Sequence, residues 1–99
     1  MNMQSLMQQA QRMQKQLTEK KDQINKTEFT GKSELVEVVF NGNKNLVSIK
    51  INRNTSLMQE DLEILEDMIK IAVNDAMKKI DQEVENQLGA AAGPLSGLF

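Results

Sequence analysis

The sequence predicts an α+β protein with the order α-β-β-β-α: two long helices flanking a three-stranded antiparallel sheet. Three observations carry this. Apolar residues recur in steps of three and four at both ends of the chain. The period falls to two between Thr27 and Asn52. Turn residues sit at Gly31-Lys32-Ser33 and at Asn41-Gly42 between the alternating runs.

The first helix is expected from about Asn2 to Ile24. Met3, Leu6, Ala10, Met13, Leu17 and Ile24 form an a/d stripe over about three heptads, with Lys20 in the one polar slot. Gln, Met, Lys and Arg favour helix, and neither Gly nor Pro interrupts the run. At 1.5 Å per residue the rod is about 35 Å long, too long for a domain of this size to cover. Part of its seam is left for another chain or for water.

Thr27 to Thr30 reads as a short strand. Leu35 to Phe40 sets Val36, Val38 and Phe40 on one face. Asn41-Gly42, both tolerant of positive φ, turns the chain into Leu46 to Ile51, where Val47, Ile49 and Ile51 share a face. Asn54, Thr55 and Ser56 mark a helix start. The last helix is expected from about Gln59 to Gln87, with Leu62, Leu65, Ile69, Ala72, Ala76, Ile80 and Val84 as its inner stripe. Gly89 ends it. Residues 1–88 are read as one domain, and 89–99, rich in Gly and Ala with Pro94, as a flexible tail.

At 99 residues the chain has room for one modest core, so self-association is a natural source of extra stability. The chain has neither cysteine nor histidine, which excludes disulfides, thiolate nucleophiles, Cys/His zinc sites and imidazole catalysis. Its three aromatic residues, Phe29, Phe40 and Phe99, offer little for stacking single-stranded bases. The opening residues do not form a signal peptide and no apolar run suits a membrane span, so a soluble intracellular protein is expected. Glu60, Glu63, Glu66 and Asp67 crowd one helix, but ordinary charge patterning near a helix N-terminus accounts for them. Neither glycine turn matches a phosphate-binding loop, and no enzyme signature, cofactor or metal is expected.

The formal charge of −2 hides a polarised chain. Residues 1–26 carry five cations against two acids (+3), residues 27–58 four against three (+1), and residues 59–99 three against nine (−6). Arg12, Lys15 and Lys26 recur on the outer side of the first helix, and Lys20 and Lys21 thicken its second half. Lys78 and Lys79 on the last helix, with Lys70 one face away, form a weaker group. Long cationic side chains on a protruding rod suit duplex phosphates, and the same pattern also suits a simply solvated face. No helix carries Asn and Arg at base-reading spacing, so low sequence specificity is expected.

Three stretches together resemble the YbaB/EbfC family of small bacterial nucleoid-associated proteins. They are Met3-Gln4-Ser5-Leu6-Met7-Gln8-Gln9-Ala10-Gln11-Arg12-Met13-Gln14-Lys15-Gln16-Leu17; the hairpin Val36-Glu37-Val38-Val39-Phe40-Asn41-Gly42 with Leu46-Val47-Ser48-Ile49-Lys50-Ile51; and Leu65-Glu66-Asp67-Met68-Ile69 with Ala72-Val73-Asn74-Asp75-Ala76 and Lys79-Ile80. The likeness covers about residues 3–88. It implies a tight, intertwined homodimer with projecting helices, binding of double-stranded DNA with little sequence preference, and a cytoplasmic, nucleoid-associated place in the cell. It also implies a part in nucleoid organisation and gene expression, with replication or recombination proteins as partners. On this sequence the DNA contacts it implies map to Arg12, Lys15, Lys20, Lys21 and Lys26, with Lys78 and Lys79 as additions. The chain departs from the family pattern in its acidic overall charge and in Asn54-Thr55-Ser56, where a proline is common. The competing reading is a dimeric adaptor whose seam and acidic last helix bind protein, with no direct DNA contact.

Overall fold

The structure, a computed structural model, describes residues 2–52 and 56–89. The helix-start residues Asn54 and Thr55, and the tail from Ala90 onward, lie outside the described residues. The order is α1 (Met3–Lys26), β1 (Glu28–Lys32), β2 (Val36–Asn41), β3 (Leu46–Ile51), a single 3-10 turn (Gln59–Asp61) and α2 (Leu62–Leu88). The α-β-β-β-α expectation is met, with both helices long.

Local chemistry sets the ends of each helix. The Asn2 side chain accepts a hydrogen bond from the Gln4 N–H at 2.8 Å, capping α1. At the other end Thr27 turns extended, its hydroxyl donating to the Gln23 carbonyl at 2.7 Å. Ahead of α2 the Met58 N–H donates to Asp61 Oδ2 at 2.9 Å, so an acid inside the 3-10 turn satisfies a donor at the helix entry. Gly89, with φ 58°, stops α2, as the sequence suggested.

The sheet is antiparallel in the order β1-β2-β3. Val36, Val38 and Phe40 of β2 bury against Ala72, Ala76 and Ile80 of α2, and Phe29, Leu65, Ile69 and Val84 pack around them. A register shift between Val39 and Phe40 pairs Phe40 with Leu46 and leaves Val47 as the extra residue of a bulge. Leu46, Ile49 and Ile51 therefore stand opposite the core residues Phe40, Val38 and Val36. This corrects the expected Val47, Ile49 and Ile51 face, because one inserted residue resets the alternation.

Both hairpin-region glycines serve close packing. Gly31 lies inside β1, and a Cβ there would stand 2.0 Å from the Ala72 carbonyl oxygen and 2.6 Å from the Ala76 nitrogen. At Gly42 a Cβ would stand 1.9 Å from the Ile24 carbonyl oxygen. The positive φ expected at Asn41-Gly42 occurs instead at Lys44 (66°), and the Asn41 side chain closes the loop by accepting from the Asn43 and Asn45 N–H groups.

The outer edge of β1 is fastened to α2 by two side chains one helical turn apart. The Lys32 N–H donates to Asp75 Oδ2 at 3.0 Å, and the Lys79 ammonium donates to the Thr30 carbonyl at 2.7 Å. Lys79 also stands 3.3 Å from Asp75. The Asp75 carboxyl is held below its usual range, chiefly by the Lys32 N–H; partial burial opposes this, and the charges of Lys79 and Lys78 assist it.

Two predictions follow from this packing. Gly31→Ala should lower stability by about 2–3 kcal/mol in urea unfolding followed by circular dichroism, because the added methyl pushes α2 off β1. The depressed Asp75 pKa is a gain of the ionised, folded form, so it is fully present above the unfolded value near 3.8 and lost as pH falls through the lower folded value. Asp75→Asn should thus lower the urea midpoint at neutral pH, and the gap from the parent should close as pH falls below the unfolded value near 3.8.

Candidate nucleic-acid interface

Every residue from the cap Asn2 to Gln16 is exposed, whereas Leu17 is half-buried and Ile24 is buried. The heptad stripe is split accordingly. Its last members dock on the body, and Met3, Leu6, Ala10 and Met13 lie on an arm that extends about 20 Å beyond it. The molecule is correspondingly long, 70 × 19 × 16 Å.

Only two charged side chains stand on this arm, Arg12 and Lys15, and both are cations; the first acid in the chain is Glu19. In the heptad they occupy the outward c and f positions, more than a quarter-turn from the apolar stripe. Lys20 is exposed where the arm meets the body, and Lys26 is exposed in the last turn of α1. Lys21 is half-buried on the flank of the stripe that packs inward.

Lys78 and Lys79 stand on α2 rather than on the arm. Both belong to the part of α2 that lies on the sheet, where Lys78 is exposed and Lys79 is the strut to Thr30 and Asp75 described above. The partner of Asp75, the Lys32 N–H, is 43 residues away, a contact that no local pattern supplies. Lys44 pairs with Asp81 at 3.4 Å, and Lys32 with Glu37 at 3.6 Å, both on the surface.

The opposite end of the molecule is acidic. Glu60, Glu63, Glu66 and Asp67 are exposed at the start of α2, next to exposed Leu57, Met58, Leu62 and Ile64. Among the described residues, no group of three or more acids is placed to hold a metal ion. An open hollow of about 630 Å³ at the end of the sheet is lined by Lys32, Glu37 and Lys50, with Ser33 beside them. The Ser33 hydroxyl is engaged with the Val36 backbone, donating to its carbonyl and accepting from its N–H. Among the described residues, no helix is long and apolar enough to cross a membrane.

Comparison with known proteins adds an independent line. The profile of the YbaB/EbfC DNA-binding family matches residues 1–95. A nucleoid-associated protein of Streptococcus equi subsp. zooepidemicus is 45% identical over 96 residues, 96% of this chain and 97% of the relative. A nucleoid-associated protein of Streptococcus pyogenes serotype M5 is 44% identical over the same span. Among solved structures, the uncharacterized protein HP0035 of Helicobacter pylori superposes with a TM-score of 0.71 at 27% identity, over 87% of this chain and 91% of that one. A profile match along nearly the whole chain, joined to the α-β-β-β-α fold and the cationic arm, places this chain in the YbaB/EbfC DNA-binding family.

Proposed function

We propose that the chain is a non-enzymatic, nucleoid-associated protein that binds double-stranded DNA as a homodimer, with little sequence preference. The observation that carries this is the α1 arm, a rod whose charged side chains among the described residues are the outward-facing Arg12 and Lys15. Cations on such a rod neutralise phosphates and release condensed counterions, which gives affinity without reading bases. Lys20, Lys21, Lys26 and Lys78 extend the positive field, and Lys79 contributes charge beside its structural task. The local field offsets the acidic total because exposed charges beyond about 10 Å are largely screened at ordinary salt. The naming of the streptococcal relatives as nucleoid-associated supports the same reading, with the bacterial cytoplasm and nucleoid as the place of action.

Exposed apolar surface supports the dimer. Leu46, Val47, Ile49 and Ile51 on β3 are exposed, as are Leu62, Ile64 and Ile71 on α2. Patches of this kind mark interfaces, and a second copy winding its α2 across β3 accounts for them.

One observation favours the adaptor reading: the apolar residues at the start of α2 are rimmed by acids, which suits a basic protein partner, replication and recombination factors included. A mobility-shift assay separates the two, because an adaptor gives no shift at tens of micromolar protein.

For the DNA reading, Arg12→Ala/Lys15→Ala should weaken binding to all duplexes alike. It should also reduce the slope of log K against log salt by about 4, roughly 0.9 for each of four cations lost per dimer. Equal affinity of variant and parent would remove the arm from the contact. For the dimer, sedimentation should give twice the 11.2 kDa chain mass, and Ile49→Glu should reduce it to that of single chains.

A further inference from the structure

We infer that the exposed seam of the α1 arm is a second, weaker self-pairing surface, which joins arms of neighbouring dimers on one duplex. This rests on the DNA-binding homodimer proposed above and adds what happens when several copies share a DNA.

The seam consists of Met3 (77% exposed), Leu6 (45%), Met7 (60%) and Met13 (59%), with Ala10 between them. It continues the line of Leu17 and Ile24, which are already packed on the body, so its rotation and direction are fixed by the fold. Its flanking e and g positions over the arm are Asn2, Met7, Gln9, Gln14 and Gln16, and none carries a charge. Such flanks neither repel a second copy nor select a charged foreign helix, so the fitting occupant is another α1 arm. Arg12 and Lys15 point away from the seam, so one arm can hold phosphates on its outer side and a neighbour on its inner side.

Size determines when this happens. The seam offers on the order of 400 Å² per arm, about half of the roughly 800 Å² per partner in a standard stable interface. It also spans only about two heptads, short of the three or four that sustain a coiled coil. Arm pairing is therefore weak between dimers free in solution. Dimers held side by side on DNA have a high effective concentration, and the same contact then forms. The result is cooperative filling of long DNA by a protein that binds short DNA singly.

The test uses the full chain and Leu6→Gln/Met13→Gln, which preserves charge and helix propensity. The parent should half-fill a duplex with room for many copies at about tenfold lower protein than a duplex that holds one dimer. The double variant should fill both at the same concentration, with the parent's affinity for the short duplex and the parent's mass without DNA. Unchanged cooperativity in the variant overturns the inference, and so does loss of its dimer mass, which would put the seam inside the primary dimer. A second readout uses Ala10→Cys, which supplies the single thiol of an otherwise cysteine-free chain, with a short bismaleimide. On the long duplex the products should have native masses of four chains and higher even multiples; a two-chain product alone, or none, overturns the pairing. If the parent shifts no duplex, the DNA reading fails by itself. The same cross-link is then read at millimolar protein without DNA, where mass action should drive arms together and its absence overturns the seam.

Discussion

Helix α2 and strand β1 meet backbone to backbone at Gly31. Gly31 in β1 has no side chain, and Ala72 and Ala76 of α2 have only methyl groups, so helix and strand meet at a separation that any larger residue would prevent. This approach fixes α2 over β1 and β2, and the Asp75 and Lys79 side chains then fasten it to the strand's outer edge. A helix about 10 Å wide set so far to one side covers two strands of the sheet and leaves the third bare. The exposure of Ile49 and Ile51 follows from that placement.

The two edges of the sheet are accordingly unlike. On β1, the outward Lys32 N–H and Thr30 carbonyl are taken by side chains of the same protomer, which blunts that edge against stray pairing. β3 has apolar residues at its surface and, among the described residues, no helix above them. A two-fold assembly formed through the bare side keeps the fastened side outward and closes upon itself, which limits growth into open chains.

Charges of opposite sign are separated along the length of the molecule as well. The arm is cationic, with polar glutamines around a methionine and leucine seam; the start of α2 is acidic. Because the two lie at different ends of a 70 Å body, screening lets each act locally, and an acidic total is compatible with a phosphate-binding end. Met residues suit the seam because their flexible thioethers adapt to a partner without demanding one rotamer.

Much of this was legible in the residues themselves. Periodicity identified both helices and all three strands to within a few residues, because 3.6 and 2 are set by backbone geometry that any side-chain sequence must obey. The distribution of charge, the absence of histidine and cysteine chemistry, and the family likeness were likewise properties of the chain alone. Tertiary packing decided the rest. An a/d stripe looks the same whether buried or wet, so only docking of Leu17 and Ile24 showed where the body ends and the arm begins. Lys79 is chemically identical to Lys78, yet a strand brought from 49 residues away makes it a strut. Gly31 and Gly42 read as turn residues, and their purpose emerged only once Ala72 and Ile24 were beside them. Local pattern records what a segment can become; which of its faces meets another segment depends on contacts between residues far apart in the chain, and those exist only in the folded molecule.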